Sequence, residues 1–192
     1  MEYSDENLIA AHVQGDATAF REIVRRYGDG VLGYLVRMTG NRDQAEDLFQ
    51  DTFQRVHEKA GTFRGGSFKS WVYTIATRLT IDTARRKRLR MAVSLDHAGD
   101  GDEQGTPPLP ASDAPDPADE LLQEERRDQV RKAIASLPVR QRAALVMTYY
   151  QQLSYPEVAQ TLGCSVGSVK TQMSRALATL AKRLPDSVSV AK

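Results

Sequence analysis

The chain has 192 residues, 41% hydrophobic and 27% charged, with a formal net charge of +1. That is enough apolar chain for one medium or two small domains, and it excludes disorder throughout. A single cysteine, Cys164, excludes an internal disulfide, and no apolar run approaches the roughly 20 residues of a membrane span.

The N-terminal MEYSDENLIAAHVQGD is acidic and lacks the apolar centre of a signal peptide, so the cytoplasm is the expected location. The small net charge hides a segregation. Residues 1–91 carry 15 basic and 12 acidic groups (+3), residues 92–120 none and 8 (−8), and residues 121–192 carry 11 and 5 (+6). Two basic blocks flank an acidic strip, so the overall charge does not exclude nucleic acid as a partner.

A first helix is predicted over Asp5 to Gln14, capped by Ser4, with Leu8, Ile9 and Val13 as its apolar positions. A second starts near Asp16 and holds a helical period through Phe20, Ile23, Val24, Tyr27, Val31, Tyr34, Leu35 and Met38. Its glycines each cost about 1 kcal/mol relative to alanine, which predicts a bend near Gly28 to Gly30.

After Gly40 and Asn41 a third helix begins at Asp43 and ends at Gly61, with Ala45, Leu48, Phe49, Thr52, Phe53 and Val56 turned inward. Its other side carries Asp43, Glu46, Asp47, Gln50, Asp51 and Gln54, acidity that suits the positive end of the helix dipole. A solvated face explains this pattern, and so does a docking surface for a basic partner.

The loop GTFRGGS, Gly61 to Ser67, has three glycines that allow close approach of another molecule. It lacks the Gly-Lys-Ser/Thr of a phosphate-binding loop. Phe63 and Arg64 there could touch a base or a phosphate, or simply form an interhelical turn.

The helix from Phe68 to Arg90 is central. Phe68, Trp71, Val72, Ile75, Ala76 and Leu79 form its core side, with Ser70, Tyr73, Thr77 and Ile81 expected on the open side. It closes on Arg85, Arg86, Lys87, Arg88 and Arg90, a pattern suited to a nucleic-acid strand or to an ordinary helix C-terminus.

From Ala92 to Ala118 the chain has five prolines, three glycines and no Lys or Arg, and it reads as a flexible acidic linker. Helix is expected to resume at Pro117 or Ala118, with Leu121, Leu122, Val130, Ile134 and Leu137 as apolar positions. Pro138 then opens another helix, in which Leu145, Val146, Tyr149 and Tyr150 are the buried candidates.

In LSYPEVAQTLGCSVGSVKTQMSRALATLAKRL, Ser154 and Glu157 make a capping box, Gly163 a turn, and Ser165 the cap of a second helix. Val166, Val169, Met173, Ala176, Leu177 and Leu180 are expected inward, Ser168, Thr171 and Arg175 outward, and Lys170 and Gln172 on the flanks. That is the helix-turn-helix pattern for reading a major groove.

At these residues the chain resembles the sigma-70 family of bacterial RNA polymerase sigma factors, in the extracytoplasmic function group. AEDLFQDTFQRV resembles the family's core-polymerase docking segment, FKSWVYTIATRLTIDTARRKR its promoter-melting helix, and LSYPEVAQTLGCSVGSVKTQMSRAL its minus-35 helix-turn-helix. The resemblance implies an all-α chain of two small helical domains, a sigma-two-like one over 1–91 and a sigma-four-like one over 119–192, joined by the acidic linker 92–118.

It also implies that Asp43, Glu46, Asp47, Gln50, Asp51 and Gln54 meet the clamp of the largest polymerase subunit. The second domain would reach the flap of the second-largest. Phe63, Arg64, Ser67, Tyr73, Thr77, Arg78, Arg85, Arg86 and Arg88 would take the minus-ten strand, with the glycine loop receiving a flipped base. Ser165, Ser168, Lys170, Thr171, Gln172 and Arg175 would read the minus-35 duplex. The linker would thread the polymerase interior, and an anti-sigma protein is an expected partner.

No catalytic group, metal site or cofactor is expected, since His12, His57 and His97 are scattered. The sequence departs from many relatives at Arg78, where they have asparagine, and at Thr171-Gln172, where they have Ser-Arg. Gln172 suits adenine where arginine suits guanine, so promoter preference is not transferable. A helix-turn-helix regulator that never joins polymerase is the alternative reading.

Overall fold

Ser4 accepts from the Asn7 N–H at 3.2 Å and starts α1 (Asp5–Val13). Asp16 does the same for α2 (Ala17–Thr39), taking the Thr18 N–H at 2.8 Å, and Asn41 opens α3 (Arg42–Lys59) by accepting from Gln44 at 2.8 Å. A 3-10 turn over Ala60–Thr62 and the glycine loop lead into α4 (Phe68–Ser94). Then come α5 (Pro117–Ala135), α6 (Val139–Tyr149), α7 (Tyr155–Leu162) and α8 (Val166–Arg183). The structure, a computed structural model, describes residues 3–94 and 117–184, and side chains over 3–90 and 123–184. Most of the acidic linker lies outside the described residues, although α4 and α5 extend into its expected ends.

Among the described residues the fold is all-helical. In the N-terminal half, α2 packs on α1, α3 and α4, and Ile23, Val31, Leu35, Ala45, Val56, Val72 and Ala76 are all fully buried. α2 is unbroken through the glycines at which a bend was expected. A Cβ at Gly28 would meet the Phe49 ring at 3.6 Å, an ordinary contact distance. In the C-terminal half, α6 packs against α7 and α8, and Val146, Met147, Val158, Val169 and Ala176 close a smaller core.

The two halves also pack on each other, with α7 and α6 against α4 and with α5 and α6 against α2. Their apolar side chains merge into one cluster. This contact overturns one expectation: Ser70, Tyr73 and Thr77 do not face solvent but are buried, and Ile81 is half-buried. The periodic stripe of α4 marks its apolar contacts with α2 and α3. The polar side is covered jointly, by Tyr34 of α2 and by Gln151, Glu157 and Met147 of the other half.

Other inward assignments also move. Tyr149 and Tyr150 are exposed because the five consecutive buried residues Ala143 to Met147 already use the enclosed length of α6. The Tyr150 ring instead lies under the Arg37 guanidinium, 4.1 Å from its centroid. Val13, Val166 and Leu177 are exposed as well. The buried line of α8 runs Val169, Met173, Ala176, which leaves Leu177 beside it and Val166 on the projecting first turn.

Candidate nucleic-acid interface

All six polar residues of the α3 face, Asp43, Glu46, Asp47, Gln50, Asp51 and Gln54, are exposed. Within the helix Glu46 is paired with Arg42 at 2.8 Å, and Gln54 donates to Glu58 at 3.0 Å. Asp43 lies in the first turn, where the helix dipole favours a carboxylate.

The loop after α3 is shaped by Gly65 and Gly66, at φ +88° and +89°, a region that side chains disfavour. Arg64 is exposed and donates to its own loop at Gly61 O, 3.3 Å. Ser67, also exposed, uses its hydroxyl oxygen to accept the Ser70 N–H at 3.2 Å. Phe63 is half-buried, edge-on to Phe68 with centroids 5.5 Å apart and a similar distance from Trp71. An open, largely apolar hollow of about 430 Å³ lies between this loop and α1, lined by Glu6, Ile9, Ala10, Gly61, Phe63 and Gly65 among others.

On α4 the expected strand contacts divide. Arg78, Arg85, Arg86 and Arg88 are exposed, as are Lys87 and Arg90, so the cation row is open to a polyanion. Tyr73 and Thr77 are each 1% exposed. The Tyr73 hydroxyl donates to Gln151 Oε1 at 2.5 Å, and the Thr77 hydroxyl bonds Tyr34 at 2.7 Å. Burial pushes both phenols well above the usual tyrosine range, so neither ionises near neutrality.

The helix-turn-helix takes the expected form. Pro156 sits in the first turn of α7, Gly163 ends the helix at φ +61°, and Ser165 caps α8 by accepting from Ser168 N at 3.1 Å. Ser165, Ser168, Lys170, Thr171 and Arg175 are exposed, and Gln172 is half-buried. The Ser165 and Ser168 hydroxyls are 2.9 Å apart, and Thr171 Oγ1 donates back to Gly167 O at 3.0 Å. Lys170 and Arg175 are exposed cations in the first two-thirds of α8, and Lys182 and Arg183 are exposed in its last turn.

Glu157 does more than the capping box requires. One carboxylate oxygen accepts the Ser154 N–H at 2.9 Å and the Ser154 hydroxyl at 2.7 Å, while the other accepts from Ser70 Oγ of α4 at 3.1 Å. The Ser154 bonds, helped by Ser67 and Ser70, hold this carboxyl down at about 2. Sequence reasoning missed this contact and also missed Lys69, Arg142 and Gln151, because each joins helices far apart in the chain. The described residues hold no cluster of three or more metal-ligating side chains and no helix long and apolar enough to cross a membrane.

The geometry has counterparts. Residues 23–90 match the model of sigma-70 region 2 and residues 127–180 that of sigma-70 region 4. The chain is 33% identical to the ECF RNA polymerase sigma factor SigW of Bacillus subtilis, over 97% of this chain and 100% of that protein. It is 35% identical to the ECF RNA polymerase sigma factor SigM of Mycobacterium tuberculosis, over 95% and 86%. Among solved structures it is similar to the sigma factor RpoE of Bartonella quintana in complex with the anti-sigma factor NepR. That match has a TM-score of 0.67 and 25% identity, over 85% of this chain and 94% of that one. With both regions matched in order and relatives aligned from end to end, this chain belongs to the sigma-70 family, as an RNA polymerase sigma factor of the extracytoplasmic function group.

Proposed function

We propose that the chain recruits core RNA polymerase to its promoters by dividing the work between two domains, 1–91 and 119–192, tethered by the acidic strip 92–118. The α3 face, led by Asp47 and Asp51, docks on the basic clamp of the largest polymerase subunit, and the second domain meets the flap of the second-largest. α8 enters the major groove at the minus-35 element, with Ser165, Ser168, Lys170, Thr171, Gln172 and Arg175 toward the DNA.

At the minus-ten element the loop carrying Phe63, Arg64 and Ser67 receives an unstacked base. Tyr73, Thr77, Arg78, Arg85, Arg86 and Arg88 hold the separated strand. Removing a base from the stack costs a few kcal/mol, and contacts made only with the separated strand offset that cost. No catalytic group is needed, because strand opening is driven by this difference in binding. The setting is the cytoplasm, and a protein of the anti-sigma kind is a further partner, as for the Bartonella relative.

The observation that carries this reading is the order of regions 2 and 4 on one chain, with every polar residue of the α3 face exposed. A regulator working without polymerase has no use for the first region. The test is transcription in vitro. The purified chain added to core polymerase should start transcripts at discrete sites on genomic templates, and transcription no different from core alone would sink the proposal.

A further inference from the structure

The hollow between α1 and the glycine loop has a prepared lining. Its floor is apolar: Ile9 is 5% exposed and Ala60 3%, and the half-buried Phe63 closes one side. On the α1 side, Asp5 accepts from the Tyr27 hydroxyl of α2 and from Arg26 at 3.3 Å, and Arg26 also donates to Tyr3 O at 2.8 Å. The Tyr27 ring stands edge-on to Phe68 with centroids 5.2 Å apart, and Phe68 stands edge-on to Phe63 at 5.5 Å. The same three rings thus hold α1 and the aromatic of the loop.

Glu6 brings the charge to this lining. Asp5 and Glu6 both lie in the first turn of α1, where the helix dipole favours a carboxylate. They differ in use. Asp5 is taken up by Tyr27 and Arg26, whereas Glu6 makes no hydrogen bond or ion pair among the described residues. Its Oε1 faces the loop, 3.8 Å from where a side chain at Gly65 would begin, and the glycine leaves that space open. Arg64, the nearby cation of the loop, does not pair with it but donates to Gly61 O at 3.3 Å and stays exposed.

An apolar floor, an unpaired carboxylate and an exposed cation beside them suit the three parts of one nucleotide, its ring, its base edge and its phosphate. The volume, about 430 Å³, is that of a small-molecule site and has room for a purine. The carboxylate also narrows the choice of base, because it only accepts, and at two oxygens. An unstacked base offers its pairing edge. Guanine presents two adjacent donors there, N1–H and the N2 amino group, which match a carboxylate in a paired contact. Adenine and cytosine present one amino group beside an acceptor nitrogen, and thymine presents one N–H between two carbonyls.

We infer that Glu6 of α1 is a specificity-determining residue of the strand-binding site, selecting an unstacked guanine by accepting from N1–H and the N2 amino group while Ile9, Ala60 and Phe63 cover the ring. This rests on the reading that the loop receives a base of the separated strand. α1 then belongs to the promoter-reading surface as well as to the core.

The test uses the full chain on core polymerase and a labelled forked duplex whose single-stranded minus-ten segment is randomised. Bound molecules are recovered and sequenced for the wild type and for Glu6→Gln. The wild type should enrich guanine at one position. Glu6→Gln should lower that enrichment about tenfold and leave the other positions alone, the size expected of one paired contact. Glu6 is exposed, so the melting temperature should stay where it is. On the enriched sequence, replacing that guanine by inosine, which lacks the N2 amino group, should weaken binding by the wild type more than binding by Glu6→Gln.

Guanine enrichment kept in full by Glu6→Gln overturns the inference and leaves the base-receiving role of the loop standing. Enrichment of adenine or cytosine at the position that responds to Glu6→Gln overturns the choice of guanine. A wild type that binds the fork with no enriched position removes the base-receiving role, and the inference with it.

Discussion

The hydroxyls of Tyr34 on α2 and Thr77 on α4 share a hydrogen bond of 2.7 Å between two fully buried side chains. Tyr34→Phe leaves Thr77 with only the Met147 sulfur, 4.0 Å away. An unsatisfied buried hydroxyl costs about 1–3 kcal/mol, so urea unfolding of this variant should show a loss of that size. Adding Thr77→Val should cost less than the two single losses together, because neither group then lacks a partner.

At the α3 face, Asp47→Lys with Asp51→Lys should lower affinity for core polymerase at least tenfold, about 1.4 kcal/mol. Both side chains are exposed, so the melting temperature should barely move. Competition against the unaltered protein for a limited amount of core measures the first, and calorimetry the second. Equal competition would remove the docking assignment.

Arg175 is exposed on α8, one turn beyond Thr171. Arg175→Ala should weaken minus-35 duplex binding. A phosphate contact would reduce the salt slope by about 1, whereas a base contact would cost about 1–3 kcal/mol at one base pair only. Titrations against a set of single-base-pair variants at several salt concentrations separate the two, and an unchanged isotherm excludes both.

Glu157 predicts an acid limb. Its carboxyl titrates at about 2 in the folded chain against 4.5 for the free group, so the unfolded chain takes up the proton first. The resulting stability is whole above pH 4.5 and is lost as the pH falls toward 2. In Glu157→Gln the stability curve should be flatter across that interval, as measured by denaturant unfolding at stepped pH.

His12 adds a second, milder limb. It stacks on Phe20 with centroids 4.6 Å apart and lies 4.9 Å from His57. Burial, and then the charge of His57, pull its pKa below the usual 6.5, so its contribution is whole above pH 6.5 and declines as the pH falls. His12→Phe should keep the stacking and remove this part of the pH dependence, which thermal melts at pH 7.5 and 5.5 would record.

Local features were legible in the sequence to within a residue or two. Ser4 and Ser165 cap helices as expected, through short side-chain bonds that need no distant partner, whereas Asn41, expected to help stop α2, instead caps α3. The acidic face of α3 and the cation row of α4 were readable for the same reason. The polar side of α4 was not, because Ser70, Tyr73 and Thr77 look like solvent-facing residues until Glu157, Gln151 and Met147 are brought to them from roughly 70–90 positions away. In the helix after Pro138, apolar character alone could not show where the enclosed length of α6 stops, so Tyr149 and Tyr150 were placed inside.

Arg142 joins the halves in another way. Its guanidinium donates to Met38 O at 2.5 Å and to Leu137 O at 3.0 Å, and it also reaches Ala135 O, so every acceptor is a main-chain carbonyl near a helix end. Such acceptors persist whatever side chain occupies positions 38, 135 and 137. This junction can therefore tolerate drift on three of its four sides, and its survival over descent depends on one codon.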